Sequence, residues 1–192
     1  MPEQQNPLYN LGLNTGTTSF LHPERIAARF DLKPGMIVAD FGAGAGFFTV
    51  PMARLVGEKG KVYAIDILQS MLDLIKGKTD LEHLLNVELV WSNLEEAGGS
   101  RLKDGIVDFV IIANILFQAE NKVALFEEAY RILKTGGRLA VIEWDENKFS
   151  AGPPGALRIP KKIATGLAQQ SRFHLDREFE AGSHHYGLMF RK

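Results

Sequence analysis

Residues 36–51, MIVADFGAGAGFFTVP, determine the expected fold. A short apolar run closes on Asp40, and glycines then alternate at Gly42, Gly44 and Gly46. A continuous apolar run is typical of a buried parallel strand, and glycines let the backbone turn sharply and approach a ligand closely. A helix beginning near Gly46 would direct its unpaired N–H groups into that turn. The pattern therefore predicts a strand, a turn and a helix that bind a nucleotide-like ligand.

The spacing of these glycines distinguishes between ligand classes. Counted from Gly42, the dinucleotide fingerprint G-x-G-x-x-G requires its third glycine at position 47, where Phe47 stands. The segment DFGAGAG resembles instead the first motif of the class I S-adenosylmethionine (SAM)-dependent methyltransferases, an acidic residue followed by G-x-G-x-G. The resemblance implies that SAM contacts this motif at Asp40, Gly42, Ala43, Gly44 and Gly46.

Length and composition indicate one globular domain. A chain of 192 residues, 45% hydrophobic and 23% charged, is large enough for a single core. We expect a polar N-terminal arm over residues 1–19 and one domain over residues 20–192. No apolar run reaches membrane-spanning length, and the opening MPEQQNPLYN does not resemble a signal peptide. A cytoplasmic protein is the expectation.

Charge and cysteine content narrow the possible partners. The net charge is -1 and no long basic run is present, which makes a nucleic-acid substrate unlikely. The absence of cysteine excludes disulfides, thiolate metal sites and cysteine nucleophiles. We therefore expect a small-molecule substrate and no metal site. The sequence gives no indication of the oligomeric state.

A second apolar run, residues 61–66, ends on Asp66. An acidic residue at the end of the second strand, about twenty residues past the glycines, accepts hydrogen bonds from both ribose hydroxyls of a nucleotide. The alternative is that Asp66 caps the next helix, predicted over residues 67–76. The resemblance implies that Ile67 packs on adenine, while Met71 belongs either to the adenine pocket or to the core.

The third and fourth strands end on further candidate ligands. Residues 87–91 predict a strand whose Trp91 is expected in the core, and Ser92 and Asn93 follow it. By resemblance these two side chains meet the adenine edge, although Ser and Asn also favour turns. Residues 105–113 predict a central strand, and the resemblance places Ala113 and Asn114 beside the methionine part of SAM and its methyl group. The [DN]-P-P-[YF] signature is missing here, which disfavours methylation of exocyclic or amide nitrogens.

The remaining elements complete a known sheet order. We expect a helix from the cap at Asn121 to Gly136 or Gly137, a fifth strand over 138–144, a lid-like loop over 145–160, a helix over 161–171 and a hairpin of strands 173–180 and 184–191. The order resembles the methyltransferase fold. The predicted class is α/β, a Rossmann-like seven-stranded, mostly parallel sheet with an antiparallel last strand and helices on both faces.

Two histidines begin that last strand. A strand running opposite to the others starts at their carboxyl edge, so His184, His185 and Tyr186 are expected near the mouth of the site. An acceptor that must lose a proton needs a base, and a histidine with a pKa near neutrality suits that role. Our hypothesis is that His184 or His185 is catalytic. The alternative is that both merely bridge polar groups of the hairpin.

The whole pattern resembles the small ubiquinone/menaquinone-biosynthesis-type (UbiE-like) branch, especially LKPGMIVADFGAGAG and EAGSHHYGLMFRK. The resemblance implies SAM as cofactor, S-adenosylhomocysteine as product and a small, lipophilic ring as the favoured acceptor. Two alternatives remain open. One is an NAD(P)-binding oxidoreductase, and the other is a catalytically silent partner subunit with the SAM fold.

Overall fold

The computed structural model describes residues 21–146 and 152–192. The expected arm, residues 1–19, and part of the expected lid, residues 147–151, lie outside the described residues. Within the described ranges the chain forms seven strands and five α-helices. None of these helices has the length and apolar content needed to cross a membrane.

The elements alternate between strand and helix through most of the chain. The strands are β1 (Ile37–Phe41), β2 (Lys61–Asp66), β3 (Val87–Trp91), β4 (Val107–Ala113), β5 (Leu133–Trp144), β6 (His174–Glu180) and β7 (His185–Arg191). The helices are α1 (Pro23–Ala27), α2 (Thr49–Val56), α3 (Gln69–Leu81), α4 (Lys122–Ile132) and α5 (Lys161–Gln170), with short 3-10 turns at Ala28–Phe30 and Gly155–Leu157.

All seven strands join one sheet in the order β3-β2-β1-β4-β5-β7-β6. Strands β1 to β5 pair in parallel, and β7 lies antiparallel to both of its neighbours, β5 and β6. This confirms the predicted class and the reversed last strand. Because β7 runs backwards, its first residue, His185, pairs with Trp144 at the end of β5.

The sheet separates two apolar cores. Successive side chains of a strand point to opposite faces, so on β1 Val38 packs with α1 and α2, whereas Ala39 packs with α4 and α5. Helix α3 covers the first of these faces further along, where Leu72 and Ile75 contact Ala64 of β2. Helices thus cover both faces, as the α/β prediction requires.

Helices α2, α3 and α4 have boundaries that differ from the prediction, and α3 spans Gln69–Leu81 instead of residues 67–76. Helix α2 begins at Thr49 instead of near Gly46, because Gly46 has a φ of 80°, which lies outside the helical range. Helix α4 is capped by Asn121 as expected, since its Oδ1 accepts a hydrogen bond from the Ala124 amide at 3.2 Å. It ends at Ile132, before the glycines, because Leu133 already pairs with Val107 of β4.

The prediction that Trp91 lies in the core is wrong. Its strand, β3, is the edge of the sheet, and Trp91 is 59% exposed. The indole Nε1 donates a hydrogen bond to the Ile67 carbonyl at 2.8 Å. Trp91 therefore fixes the turn after β2 from outside.

Candidate active site

A cleft runs along the carboxyl ends of the strands. It is bounded by the turns that follow β1, β2, β3 and β4, by the end of β5 and by the start of β7. Open α/β sheets bind their ligands at this edge. Of the predicted site residues, the cleft is lined by Asp40, Gly42, Ala43, Gly44, Asp66, Ile67, Met71, Ser92, Asn93, Ala113, Asn114 and His185. Gly46 and His184 are not among the lining residues.

The turn after β1 brings the backbone close to its neighbours. Gly42, Gly44 and Gly46 have positive φ angles of 66°, 51° and 80°. Residues other than glycine rarely adopt such angles. A Cβ on Gly42 would overlap Ile115, and one on Gly46 would lie 3.0 Å from Ile75. Gly44 faces open space and the cleft. Gly46 thus fits the turn against α3, which explains why it does not line the cleft.

Asp66 lies directly beside this turn. Its Oδ2 accepts a hydrogen bond from the Gly44 amide at 2.8 Å, and its Oδ1 accepts one from the Leu68 amide at 2.9 Å. Burial raises the pKa of this carboxyl, and the amides of Leu68 and Gly44 oppose that rise. Helix α3 begins at Gln69 with Leu68 as its N-cap, so the alternative that Asp66 caps the helix is wrong.

Asp40 is the second carboxyl in the cleft. It is 2% exposed, and its Oδ2 accepts a hydrogen bond from the Thr49 hydroxyl at 2.6 Å. Burial raises its pKa to about 7, the Thr49 hydrogen bond lowers it, and the nearby charge of Asp66 raises it further. A positively charged ligand beside these two carboxyls would favour their ionised forms.

The turns after β2 and β3 form one end of the cleft. Ile67 is 41% exposed at this end, and Met71 lies one turn further along α3. Asn93 Oδ1 accepts a hydrogen bond from the Glu95 amide at 3.0 Å, so Asn93 shapes its own turn, as the alternative interpretation held. It also lines the cleft together with Ser92. A turn role and a ligand role are therefore compatible at Asn93.

Asn114 follows β4 in a left-handed conformation, with a φ of 58°. Its backbone is well paired, because its amide donates to Ile142 and its carbonyl accepts from Gln118 Nε2. Its side-chain Oδ1, in contrast, is buried and has no hydrogen-bond partner among the described residues. A buried acceptor without a partner is costly, and Asn114 is one of the residues that line the cleft.

The structure separates the two histidines. His185 lines the cleft, is 5% exposed and has both ring nitrogens buried without a partner in the described structure. His184 Nδ1 lies 2.6 Å from Ser183 Oγ at the hairpin turn. Burial lowers the pKa of His185 to about 4, and His184 and Arg158 lower it further through their charge. The burial of His185 therefore favours a pKa below the near-neutral range that suits a general base.

Several cleft residues were missed by the sequence interpretation. These are chiefly apolar: Leu21, Phe48, Phe117, Trp144 and Pro153. Aromatic residues in apolar runs carry no local signal that separates a ligand wall from a core. Pro153 had a weak signal, because it belongs to the loop already predicted to lie over the crevice.

Glu143 is a second missed feature. It is fully buried on β5, where its Oε1 accepts a hydrogen bond from the Leu116 amide at 2.7 Å and its Oε2 has no partner among the described residues. Burial raises its pKa to about 8, against the opposing effect of backbone amides. Glu143 holds the segment after β4, from which Ile115 and Phe117 reach the cleft. A carboxylate within the apolar run AVIEW was the available signal.

Comparison with known proteins agrees with this geometry. Residues 32–180 match the family model described as a methyltransferase domain. A SAM-dependent methyltransferase of Aquifex aeolicus has a solved structure that is 30% identical, covers 93% of each chain and superposes with a TM-score of 0.84. These matches account for most of the chain.

Two curated relatives show a more local likeness. The ubiquinone/menaquinone biosynthesis C-methyltransferase UbiE of Vibrio vulnificus is 36% identical over 118 residues, 61% of this chain and 44% of the relative. The demethylmenaquinone methyltransferase of Bacillus mycoides is 33% identical over 113 residues, 59% of this chain and 46% of the relative. The chain thus spans less than half the length of these relatives. With its glycine turn, its Asp66 and its sheet order, the chain belongs to the class I SAM-dependent methyltransferases.

Proposed function

We propose that this chain transfers the methyl group of SAM to a small, largely apolar acceptor and releases S-adenosylhomocysteine. The single observation that carries the proposal is that Asp66, hydrogen-bonded to the three-glycine turn, lines the same cleft as that turn. Main-chain approach without Cβ atoms and a carboxylate at the end of β2 suit an adenosyl ligand.

The residues present fit the cofactor. We assign the ribose hydroxyls to Asp66, adenine to the turns after β2 and β3, and the methionine part to the turn after β4. The orphaned Oδ1 of Asn114 supports the last assignment, because the amino group of SAM is a donor that would satisfy it. The full cofactor set is Asp40, Gly42, Ala43, Gly44, Asp66, Ile67, Met71, Ser92, Asn93, Ala113 and Asn114. We assign Gly46 to the fit of the turn against Ile75 instead of to direct contact.

When bound, SAM supplies an activated methyl group, so the protein needs few residues that react covalently. The chain contributes by holding the two reactants in line and by excluding water. The positive φ angles of the glycine turn and the paired oxygens of Asp66 serve the first task. The apolar walls of the cleft serve the second.

The cleft has two ends, which we name by their proposed ligands. The cofactor end comprises the carboxyl ends of β1 to β3. The acceptor end comprises Ile115, Phe117, Gln118, Ala119, Trp144, Pro153 and His185. Phe117 and Trp144 make this end largely apolar, which suits a lipophilic ring. The names of the two curated relatives, both connected with quinone biosynthesis, support the same class of acceptor.

Calorimetric titration with SAM, S-adenosylhomocysteine and NAD tests the cofactor assignment. We expect both adenosyl ligands to bind and NAD not to bind. Asp66→Ala should weaken SAM binding by about a hundredfold, because two charge-assisted hydrogen bonds to ribose are lost. The matched control is Asp73→Ala, because Asp73 is exposed on α3 and its carboxylate accepts a hydrogen bond from Gln69. Equal affinity in both variants would overturn the assignment of Asp66.

Turnover distinguishes an enzyme from a silent partner subunit with the same fold. Transfer of labelled methyl from SAM to a panel of phenols and quinols should be detected for the intact chain. Tight SAM binding without transfer to any acceptor would favour the silent subunit. A cytoplasmic location is part of this proposal, and cell fractionation tests it.

A further inference from the structure

The imidazole of His185 is positioned by packing. Its ring lies against the indole of Trp144, with the ring centroids 4.2 Å apart and the planes inclined by 39°. Neither ring nitrogen has a hydrogen-bond partner in the described residues, although His185 is 5% exposed. Buried histidines ordinarily satisfy at least one nitrogen. His185 is therefore fixed in place with its polar atoms uncommitted.

The indole that holds His185 is itself fixed from other sides. Gly152, at a φ of 82°, approaches Trp144 so closely that a Cβ would lie 2.6 Å from Cε3. The Arg158 guanidinium lies 5.8 Å from the Trp144 ring centroid, and its Nε donates to the Pro153 carbonyl at 3.0 Å. Gly152 and Arg158, which follow β5, thus pack against the indole. This packing limits the orientations open to His185.

His185 lies at one end of the cleft. Strand order places it on the β5 and β7 side, away from the turns assigned to adenosine. Phe117, Trp144 and Pro153 line the same side with apolar surface. A ligand that fills this end meets a largely apolar surface to which His185 belongs.

We propose that His185 selects and orients the methyl acceptor by hydrogen bonding to an oxygen substituent on an otherwise apolar ring. The inference rests on the proposed function and adds the recognition group for its acceptor. His184, whose Nδ1 meets Ser183 at the hairpin turn, has no such role.

The charge state of His185 agrees with hydrogen bonding and argues against proton abstraction. Its lowered pKa keeps the imidazole neutral at physiological pH. A neutral imidazole offers one N–H donor and one acceptor nitrogen, so it pairs with either a hydroxyl or a carbonyl. The same low pKa makes it a weak base, because efficient general bases have pKa values near the working pH.

The test uses a pair of rings that differ in one polar group, 2-naphthol and 2-methylnaphthalene. Their binding is measured calorimetrically on the full chain saturated with S-adenosylhomocysteine. We expect the wild type to prefer 2-naphthol by about tenfold, the effect of one buried hydrogen bond. His185→Phe keeps an aromatic ring against Trp144 and should remove the preference. His185→Gln retains a donor and an acceptor and should keep part of it.

His184→Gln is the matched control and should leave the preference unchanged. An equal preference in His185→Phe and the wild type, or no preference for 2-naphthol in the wild type, would overturn the inference. In both cases, intact binding of S-adenosylhomocysteine would leave the proposed function standing. If the wild type did not bind S-adenosylhomocysteine, the proposed function itself would be refuted. In a ¹⁵N spectrum, the ring nitrogens of His185 should shift on adding 2-naphthol and not on adding 2-methylnaphthalene.

Discussion

The titratable side chains at the two ends of the cleft differ in their hydrogen bonding. At the cofactor end, both oxygens of Asp66 accept backbone hydrogen bonds, and Asp40 accepts one from Thr49. At the acceptor end, the ring nitrogens of His185 have no partner among the described residues. Glu143, beneath this end, leaves its Oε2 equally unpaired.

The difference shows where each end obtains its order. Paired carboxylates hold the cofactor end in one geometry before any ligand arrives, which lowers the cost of binding. The acceptor end is held by aromatic packing and leaves its hydrogen-bonding capacity for a ligand. A ligand that supplies the missing partners gains the free energy that the unpaired groups cost in folding.

Gly42→Ala should have the largest effect on both ends of the cleft, because Gly42 of the glycine turn packs against Ile115 of the acceptor end. An added Cβ would overlap Ile115, and the φ of 66° adds backbone strain. We expect the free energy of unfolding to fall by about 2–4 kcal/mol, the sum of overpacking and strain. SAM affinity should fall as well. Chemical denaturation and calorimetry measure the two effects.

The control for this substitution is Gly105→Ala. Gly105 has a φ of 64° but nothing within 4 Å of an added Cβ, so only strain remains, about 1 kcal/mol. Adding Ile115→Ala to Gly42→Ala should recover stability, since it removes the clash. If Gly42→Ala and Gly105→Ala cost the same, the contact between the turns after β1 and β4 has no energetic weight.

Glu143→Gln tests the unpaired carboxyl beneath the acceptor end. Burial raises the pKa of Glu143 from 4.5 to about 8, so the native state binds more protons than the unfolded state within that range. The stability of the wild type should therefore fall as pH rises from 4.5 to 8, by up to about 1.4 kcal/mol per pH unit for one group. The glutamine variant lacks this contribution, so it should gain stability relative to the wild type as pH rises.

Urea denaturation at several pH values measures that difference. Asp40, whose pKa is also raised, contributes to both proteins and cancels in the comparison. The exposed Glu127 provides a matched control, because Glu127→Gln should follow the wild type throughout. Parallel pH curves for Glu143→Gln and the wild type would show that Glu143 is ionised in the fold.

Asn114→Gly should have the smallest effect on stability. It tests the position where the cofactor end and the acceptor end of the cleft meet. Glycine accepts the φ of 58° and keeps both backbone hydrogen bonds, so the free energy of unfolding should change by less than about 1 kcal/mol. The loss of Oδ1 should weaken SAM binding by about tenfold. His83→Gly, at a φ of 55° outside the cleft, should leave affinity unchanged. Equal SAM affinity for Asn114→Gly and the wild type would remove Asn114 from the assigned cofactor set.

The fold was predictable because its signals are local. The apolar run before Gly42, the acidic end at Asp66 and the glycine turn of the last hairpin each define an element through neighbouring residues. Trp91 was misplaced because strand order depends on contacts far apart in sequence. An edge strand and a central strand of similar composition look alike until the sheet is assembled.

The site residues were also predictable only where the signal is local in sequence. Residues at strand ends, such as Asp66 and Asn114, follow from topology and lie on the cleft as placed. The separation of His184 from His185 depends on which side chain turns toward Trp144, and a one-residue alternation decides it. The low pKa of His185 depends on burial by segments remote in sequence, which no local pattern encodes.

The insertion of β7 between β5 and β6 has a consequence for biosynthesis. A nascent chain emerges from the ribosome with every proposed adenosine-contacting segment already translated while residue 185 is still to come. The proposed SAM pocket can thus form before β7 adds the surface proposed to select the methyl acceptor. Exchange of the β6–β7 hairpin between homologous enzymes is accordingly a compact route to transplant acceptor choice.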